Sequence, residues 1–402
     1  MIGGNAKYRV LIYSHDSFGL GHLRRCRAIA HSLVGRYQDV FVLILSGSPI
    51  IGSFDFRARV DFVRIPGVIK LRNGEYTSLG LHLNIDETLK MRASILLHTA
   101  EMFNPDLFLV DKEPLGLRGE VGETLRLLKR QGTRNVLGLR DVMDAPGKLR
   151  KEWQRKNSMP ALEHLYDDVW VYGLEKMGDP LDGLDVPDAV LAKMTYTGYL
   201  RRTVPNENLS EEFADLPTPF VLVTAGGGGD GADIVDWVLR AYEYDRDLTC
   251  AALVVLGPFM SNKLQQDYRQ RAANLDRVTT ITFDSHIEFL MERAIGVVAM
   301  GGYNTFCEIL SFDKRAVIVP RSRPREEQLI RAQRAEKLGL VKMLEGDGDR
   351  HPAAMAQAIR NLPNQALPSQ ANISGLLDGF DTINRLMAPL IQGREEILPR
   401  DI

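Results

Sequence analysis

The amino-acid sequence is poor in cysteine and carries almost no net charge. Its three cysteines, Cys26, Cys250 and Cys307, lie far apart in 402 residues and form no CxxC pair. A disulfide framework or a structural zinc site is therefore not expected, and a reducing compartment is favoured. Lysine and arginine number 50 against 52 acidic residues, which gives a formal charge of −2. That balance argues against a protein that coats nucleic acid, so no nucleic-acid partner is predicted.

Long apolar runs are also missing. The longest, such as Val40–Leu45, have the length of strands, whereas a membrane-spanning helix needs roughly 20 apolar residues. The N-terminus lacks a charged segment followed by a long apolar stretch, so it does not resemble a secretory signal. The sequence predicts a cytoplasmic protein. A basic segment at 147–156 with one exposed-looking aromatic, Trp153, leaves open a peripheral contact with the inner face of a membrane, although a solvated helix face is the simpler interpretation.

Short apolar runs alternate with amphipathic patterns along the whole chain. The runs are apolar on both faces, as strands of a buried parallel sheet are. They lie at 9–13, 40–45, 61–65, 107–110, 135–139, 169–172, 194–197, 220–224, 251–256, 279–283, 296–300, 316–319 and 341–344. Amphipathic stretches such as Leu23–Leu33 and Asp233–Tyr242 separate them. Repeated strand–helix units predict an α/β fold with doubly wound parallel sheets.

The length and one linker predict two domains. A chain of 402 residues exceeds what one hydrophobic core usually holds, and the segment from Arg201 to Pro219 is rich in proline and asparagine, as linkers are. The predicted parts are Rossmann-like domains at 1–203 and 204–375, followed by a helix and tail at 376–402. Two such sheets facing each other across a cleft would bind ligands at the carboxyl ends of their strands.

A turn ending in Gly21 and His22 opens the first predicted helix. Arg24 and Arg25 follow in its first turn, where the helix dipole disfavours cations. A bound anion would resolve that conflict, and solvation or pairing with acidic side chains at the surface is the alternative. The same dipole lowers the pKa of His22, and a neutral imidazole suits a general base. A hydrogen-bonded structural histidine is the competing interpretation.

A second glycine-rich turn runs from Ala225 to Gly231. Its consecutive glycines allow backbone N–H groups to approach an anion, and the following helix adds a favourable dipole. A tight packing turn is the alternative. The spacing fits GxGxxG, but the next strand ends at Leu256 without an acidic residue, which disfavours a nicotinamide site. No GK[ST] follows, which excludes a Walker site.

Two further segments follow predicted strands of the second half. The first, at 299–308, ends a strand in two glycines and leads into a helix with Glu308. That carboxylate could accept both hydroxyls of a ribose, or it could form a capping box with Thr305. The second is a loop with Arg321, Arg323 and Arg325, which could clamp phosphates or a carboxylate, or could be a solvated basic loop.

No metal site is predicted. Two DxD sequences, at 245–247 and 347–349, end no convincing strand and are interpreted as surface loops. The eight histidines are scattered without ligand spacing.

Taken together, these motifs resemble the GT-B glycosyltransferases, in particular glycosyltransferase family 28, which includes the bacterial lipid-linked N-acetylglucosaminyltransferase of peptidoglycan synthesis. The resemblance extends over most of the chain. It rests on the segments 18–22, 226–231, 283–286, 301–305 with Glu308, and 327–328. It departs from the family where an all-glycine turn replaces a serine or threonine and where Arg331 replaces an asparagine. The arginines of the loop at 321–325 also lie outside the common pattern.

The resemblance implies a nucleotide-diphosphate sugar donor, most often a UDP-sugar, held mainly by the C-terminal domain and acting as a substrate, so that no cofactor is expected. Phe283 would meet the base and Glu308 the ribose, while Gly227 and Gly228 would approach the diphosphate and Glu327 and Gln328 the sugar. The other residues expected at the donor site are Gly21, Gly302, Asn304, Thr305 and Arg323. The N-terminal domain would take the acceptor, and the final helix would cross back to it.

The implied reaction is an inverting, metal-independent sugar transfer to an acceptor hydroxyl, with a place in cell-surface polysaccharide or glycolipid synthesis. His22 is the first candidate for the base, with Asp111 and Glu113 as reserves. A sugar, a lipid-linked acceptor and a polysaccharide all remain open. The alternatives are a nucleotide-sugar hydrolase or 2-epimerase of the same fold, a nicotinamide oxidoreductase, and a binding protein that kept the fold.

Overall fold

The computed structural model describes residues 7–15, 21–71, 75–204, 219–226, 231–257, 260–282 and 287–395. The chain divides into two compact units. The first combines the chain up to Leu200 with the chain from Asp378 onward, and the second spans Arg201–Leu377. The sequence places the corresponding boundaries after residues 203 and 375. Most of the predicted linker, residues 205–218, lies outside the described residues.

The first unit is built on a seven-stranded sheet whose neighbouring strands all pair in parallel. Its strands and those of a small hairpin are β1 (Tyr8–Ser14), β2 (Val40–Ser46), β3 (Val60–Arg64), β4 (Val68–Lys70), β5 (Tyr76–Ser78), β6 (Leu107–Asp111), β7 (Arg134–Arg140), β8 (Asp168–Tyr172) and β9 (Met194–Tyr196). The order in the sheet is β3-β2-β1-β6-β7-β8-β9. Strands such as β6 are buried at every position, which is why they read as continuous apolar runs.

Helices connect the parallel strands of this unit. They are α1 (Gly21–Arg36), α2 (Ile85–Phe103), α3 (Gly122–Arg130), α4 (Pro146–Lys156), α5 (Ser158–Leu165) and α6 (Asp188–Leu191). Asn84 caps α2 by accepting a hydrogen bond from the N–H of Glu87, and the helix ends at Asn104 in the left-handed conformation. The antiparallel hairpin of β4 and β5 was not predicted, because strands of three residues are too short to show a period.

The second unit has a six-stranded parallel sheet in the order β12-β11-β10-β13-β14-β15. The strands are β10 (Phe220–Thr224), β11 (Ala251–Val255), β12 (Val278–Ile281), β13 (Gly296–Ala299), β14 (Arg315–Ile318) and β15 (Lys342–Met343). The helices are α7 (Ala232–Tyr244), α8 (Asn262–Ala273), α9 (Ile287–Arg293), α10 (Tyr303–Ser311), α11 (Glu327–Lys337) and α12 (Pro352–Asn361). Two Rossmann-like parallel sheets confirm the predicted fold class.

The final helix, α13 (Gly379–Glu395), belongs to the first unit. The phenol of Tyr37, just beyond α1, donates to the carbonyl of Asn384, and the Asn384 side chain donates to Ser32 of α1. Gly379 lies so close to the segment after β9 that a Cβ there would stand 2.7 Å from the carbonyl oxygen of Tyr199. Close backbone approach at this glycine therefore fixes where the helix starts.

Parallel pairing decides where chemistry can occur, because it brings the carboxyl ends of all strands of a sheet to one edge. In the first unit the carboxyl ends of β1 and β6 lie side by side at that edge, since these two strands are neighbours. In the second unit the carboxyl ends of β10, β13 and β14 are neighbours for the same reason. These two edges contain the candidate sites described below.

Gly138 offers a test of the packing beside the first of these edges. A Cβ added at Gly138 of β7 would lie 2.2 Å from the hydroxyl oxygen of Tyr172 and 2.7 Å from its ring. Tyr172 is fully buried, so its ring has no room to withdraw. We expect Gly138→Ala to lower the free energy of unfolding by about 1–3 kcal/mol, as overpacking does. Urea and thermal denaturation measure the change.

Gly147→Ala is the matched control. Gly147 lies in the first turn of α4, is exposed, and a Cβ there meets no atom within 4 Å. Alanine is the better helix former, so this variant is expected to keep or slightly raise the stability. Equal losses in the two variants would contradict the packing argument.

Candidate functional site

A histidine that hydrogen-bonds to a buried carboxylate lies at the carboxyl edge of the first sheet. His22 is the second residue of α1, and Asp111 is the last residue of β6. The Nδ1 atom of His22 hydrogen-bonds to Oδ2 of Asp111. Arg25, one turn further along α1, donates from Nε to Oδ1 at 2.8 Å and from Nη2 to Oδ2 at 2.7 Å. Asp111 and Arg25 are almost fully buried, whereas the His22 side chain keeps 19% of its surface exposed.

Burial and the charges around His22 and Asp111 shift the pKa values of both side chains. Burial alone would raise the pKa of Asp111, but Arg25 and His22 outweigh it and hold the pKa of that carboxyl well below its ordinary value. Asp111 is therefore ionised and accepts the proton of Nδ1. Burial lowers the pKa of His22, with Asp111 opposing the shift and Arg25 and Lys112 adding to it. A neutral His22 in this tautomer carries its lone pair on Nε2, as a general base requires.

The structure therefore separates the three residues predicted as catalytic. His22 and Asp111 contact each other directly, because the carboxylate of Asp111 hydrogen-bonds to Nδ1 of His22. Glu113 lies two residues beyond Asp111, with Oε2 at 2.6 Å from Nζ of Lys156 and Oε1 at 3.4 Å from Nζ of Lys112. Burial would raise the pKa of Glu113, but these cations hold it well below its ordinary value. Glu113 is a weak base in this state.

The conflict between Arg25 and the helix dipole is resolved inside the protein. The counterion of Arg25 is Asp111, and the Arg25 guanidinium also lies 5.9 Å from the centroid of the Tyr172 ring. Of the two alternatives left open by the sequence, pairing with an acid holds for Arg25, although that acid is buried and distant in sequence.

In the second unit, α10 begins beside two glycines at the end of β13. Gly301 has φ +77°, and a Cβ there would lie 2.8 Å from Ile318. Gly302 is the N-cap and supplies no side-chain cap. Since the helix starts at Tyr303, Thr305 lies inside it and forms no capping box with Glu308. That structural alternative for Glu308 is wrong, and its carboxylate is buried on the helix at 2% exposure.

Arg202 brings a positive charge to the first turn of α10, a contact that no sequence pattern predicts. Its Nη2 donates to Oδ1 of Asn304 at 3.0 Å, and its backbone N–H donates to the hydroxyl of Ser311. The residue is 9% exposed, and its buried Nε has no hydrogen-bond partner among the described residues. An arginine inside the predicted linker follows no recognised pattern, so only the fold shows that it lies at Asn304.

The start of α11 comes close to the same turn. The Nε2 atom of Gln328 lies 4.0 Å from the position that a Cβ of Gly302 would take. Arg331 is 1% exposed and donates from Nη1 to the carbonyl of Gly301 at 3.1 Å. The residue that departs from the family pattern at 331 thus supports the glycine turn before α10.

The arginine loop after β14 borders a cavity of about 230 Å³. Arg321 is held by Glu327 at 2.8 Å and donates its backbone N–H to Gln328. The charged residues lining the cavity are Arg321, Arg323, Arg350, Asp233 and Asp347. Arg350 pairs with Asp233 at 2.8 Å. The predicted basic loop is therefore joined by carboxylates from other elements, and the lining offers both donors and acceptors.

The two described ends of the second glycine turn need glycine for different reasons, backbone conformation at Gly226 and close packing at Gly231. Gly226 has φ +72°, and a Cβ at Gly231 would lie 2.3 Å from Cβ of Ala225 and 2.6 Å from its carbonyl oxygen. The turn between them, with Gly227 and Gly228, lies outside the described residues, as do residues 18–20 and Phe283. Their predicted donor contacts stay predictions.

Trp153 of α4 corrects one expectation. The ring is 4% exposed, so the prediction of an exposed aromatic in the basic segment is wrong; the apolar face of the amphipathic helix packs it into the core. No helix in the part of the chain that the structure describes is long and apolar enough to cross a membrane. Among those same residues, no group of three or more His, Cys, Asp and Glu side chains could hold a metal ion.

Comparison with known proteins concerns first the second unit. Residues 220–380 match the model of the glycosyltransferase family 28 C-terminal domain. No curated protein matches the chain. The domain match confirms the predicted enzyme class, a glycosyltransferase.

Solved structures resemble the chain over nearly its whole length. A UGT transferase from Siraitia grosvenorii in complex with UDP has a TM-score of 0.63 and 12% identity, covering 96% of this chain and 100% of its own. The glycosyltransferase VinC in complex with dTDP has a TM-score of 0.61 and 16% identity, with 96% and 100% covered. A candidate UDP-N-acetylglucosamine 2-epimerase from Listeria monocytogenes has a TM-score of 0.63 and 13% identity, with 99% and 100% covered. These likenesses show the GT-B fold.

A substitution of Arg25 tests how much its ion pair with Asp111 contributes to stability. Arg25→Met leaves the buried Asp111 without its two guanidinium hydrogen bonds. Removing one partner of a buried ion pair typically costs about 3–5 kcal/mol, and we expect a loss of unfolding free energy of that order by urea denaturation. The control Lys151→Met removes an exposed cation of the same unit and should change stability by less than about 0.5 kcal/mol.

The double variant Arg25→Met with Asp111→Asn isolates the ion pair. Once the carboxylate charge is gone, losing the guanidinium matters less, so the double variant should lose less than the sum of the single variants. Strict additivity of the two losses would contradict the assignment.

Proposed function

We propose that the protein transfers a sugar from a nucleotide-diphosphate donor, a UDP-sugar in the first instance, to an acceptor hydroxyl, with His22 as the general base. The observation that carries the proposal is the His22–Asp111 pair in a chain whose other unit matches the glycosyltransferase family 28 C-terminal domain. The first unit supplies the base, and the second supplies the donor site.

The base chemistry follows from the tautomer of His22. Asp111 holds the proton on Nδ1, so Nε2 can take the proton of an acceptor hydroxyl. The acceptor oxygen forms a bond to the anomeric carbon while the bond from that carbon to the diphosphate oxygen breaks, and the nucleotide diphosphate leaves with the electron pair. Direct attack in one step inverts the anomeric configuration. A positioned base of this kind contributes about 10²- to 10⁴-fold in rate.

The leaving diphosphate develops negative charge that the second unit can stabilise. The N-terminus of α10 has a positive dipole end with a glycine N-cap, and Arg202 adds a buried guanidinium beside Asn304. Preorganised donors of this kind are usually the largest catalytic contribution. We propose that they meet the charge of the leaving group, which makes the transfer metal-independent.

The cavity beside the arginine loop fits the sugar of the donor. Sugar hydroxyls both donate and accept hydrogen bonds, and the cavity lining offers guanidinium donors and carboxylate acceptors. We propose that Arg323 and Asp347 contact sugar hydroxyls here, next to Glu327 and Gln328. Glu308, buried on α10, is proposed to hold the ribose.

The acceptor defines the finer proposal. By analogy with the family 28 enzyme of peptidoglycan synthesis, we propose a sugar hydroxyl on a lipid-linked or polysaccharide acceptor, in cell-surface glycan synthesis at the inner face of the membrane. The exposed cations of α4, among them Lys151 and Arg155, would face an anionic acceptor or headgroup.

A nucleotide-sugar hydrolase or 2-epimerase is the second candidate. It is favoured by the likeness to the candidate Listeria 2-epimerase, whose TM-score equals that of the UDP-bound transferase. Incubation of the protein with a panel of UDP-sugars and no acceptor separates the two. Free sugar or an epimer formed at the rate of transfer would contradict the transferase proposal.

His22→Ala tests the base. We expect transfer to fall by about 10²- to 10⁴-fold because no group is left to accept the acceptor proton. The stabilisation by saturating UDP, about 2.7 kcal/mol at 100 times its Kd, should be unchanged, since His22 belongs to the other unit. His98→Ala, which removes a largely exposed histidine of α2, is the control and should transfer normally. Equal rates for the two variants would overturn the proposal.

Arg202→Ala tests the donor site. A charged hydrogen bond is worth about 1.5–3 kcal/mol, so we expect the Kd for UDP to rise about 10- to 150-fold, measured by titration calorimetry. Arg202→Lys keeps the charge and should recover part of the affinity. Arg201→Ala removes the exposed neighbouring arginine and should bind UDP normally; a matching loss there would show a general charge effect instead of a site.

A further inference from the structure

A second histidine lies directly against the proposed base. His15 follows the last residue of β1 and is 7% exposed. Its ring centroid is 5.7 Å from that of His22, and the two rings are nearly perpendicular at 80°. The ring of His15 therefore packs against one side of the His22 ring. A rotation of the His15 ring would change the surroundings of His22.

A buried tyrosine determines the tautomer of His15. Tyr13 lies two residues earlier on the same face of β1, with its hydroxyl oxygen 3.4 Å from Nδ1 of His15 and 2.5 Å from Oε1 of Glu120. Burial raises the pKa of Tyr13 well above its ordinary value, so the phenol keeps its single proton and donates it to Glu120. Only lone pairs of the phenol then face His15, whose Nδ1 must carry a proton to make the contact favourable.

An ion pair fixes Glu120 in turn. Arg92 of α2 donates from Nε to Oε2 and from Nη2 to Oε1, both at 2.6 Å, and from Nη1 to the carbonyl of Pro66. Arg92 is 1% exposed and Glu120 is 6% exposed. A buried ion pair of this kind is weak evidence for stability, because well-packed apolar residues often serve as well. Its definite effect here is orientation: it gives Tyr13 one acceptor in one place.

The charged groups around both histidines keep His15 neutral. Burial lowers the pKa of His15 well below its ordinary value, with Glu113 opposing and with His22, Lys112 and Lys156 adding to the shift. The groups facing His22 are Asp111, Arg25, Lys112 and His15. Because His15 stays uncharged, His22 is the member of the pair that takes the proton.

We propose that His15 is a positioning residue for His22, held in its Nδ1–H tautomer by the line Arg92–Glu120–Tyr13. It fixes the ring plane of the base and excludes water from one side of it. The inference rests on the proposed function of His22. Loss of the line is expected to reduce kcat by about 10- to 100-fold, since small displacements of a catalytic group cost rate on that scale, while the Kd for UDP stays unchanged.

Tyr13→Phe is the sharpest variant, because it removes one oxygen from the line. We expect kcat of transfer to fall and the acidic limb of the kcat/KM profile to move to higher pH, since water that reaches His22 relieves its desolvation. Tyr166→Phe is the matched control: Tyr166 is 1% exposed in the same unit, and its hydroxyl donates to the carbonyl of Pro114 at 2.5 Å. It should lose similar stability and keep both kcat and the pH profile.

Identical kinetics and pH profiles in Tyr13→Phe and Tyr166→Phe would overturn the proposal. A rescue pair adds a second arm: His15→Ala should lose rate, and His15→Asn, whose amide replaces the Nδ1–H donor, should recover most of it. Failure of the proposed function gives a different result, since His22→Ala would then transfer normally.

A spectroscopic measurement needs no variant to be active. In the wild-type protein labelled with ¹⁵N-histidine, the His15 resonances, assigned by their loss in His15→Asn, should show a neutral Nδ1–H imidazole that does not titrate between pH 5 and 8. An Nε2–H tautomer, or titration near the ordinary value of about 6.5, would overturn the proposal.

Discussion

The ion pair between Arg25 and Asp111 is the interaction on which the first unit's site depends. A carboxylate at 1% exposure is tolerated only with strong compensation, and the guanidinium supplies it with two hydrogen bonds. Because both oxygens of Asp111 are engaged by Arg25, the carboxylate is fixed in orientation when it accepts from His22. The direction of the His22 ring and the position of its free nitrogen follow from that pairing.

Several features of the sequence that look unrelated serve this pair. Tyr172 covers the guanidinium with its ring, and Gly138 is the residue that leaves room for the ring on the neighbouring strand. The parallel pairing of β1 and β6 brings positions 22 and 111 to one edge of the sheet although they lie 89 residues apart. A cation in the first turn of α1 is unfavourable beside the helix dipole alone. Arg25 becomes favourable there because its counterion, Asp111, lies at the end of β6.

These same features explain what the sequence could predict. Each predicted long strand is present, because a strand buried on both faces needs a continuous apolar run, and Phe220–Thr224 has the bounds that its run gives. The hairpin of β4 and β5 was missed because its strands are too short for a period. His22 was recognised as a candidate base from its place at a helix start. The sequence offers Asp111 only as a reserve candidate for the base, since its contact with His22 depends on the sheet order and leaves no local pattern.

In the second unit, too, the sequence alone does not decide which residues come together. The motif at 301–308 is visible in the sequence, yet its spacing fits a capping box as well as a ligand site, and only the start of α10 at Tyr303 decides between them. Arg202 belongs to this site through the fold alone, as its hydrogen bond to Asn304 spans 102 residues. A helix that begins at a glycine offers a dipole without a side-chain cap, and a buried guanidinium whose Nε has no partner among the described residues stands at the same turn. Two sources of positive potential at one place favour an anion there, and the diphosphate of the proposed donor is such an anion.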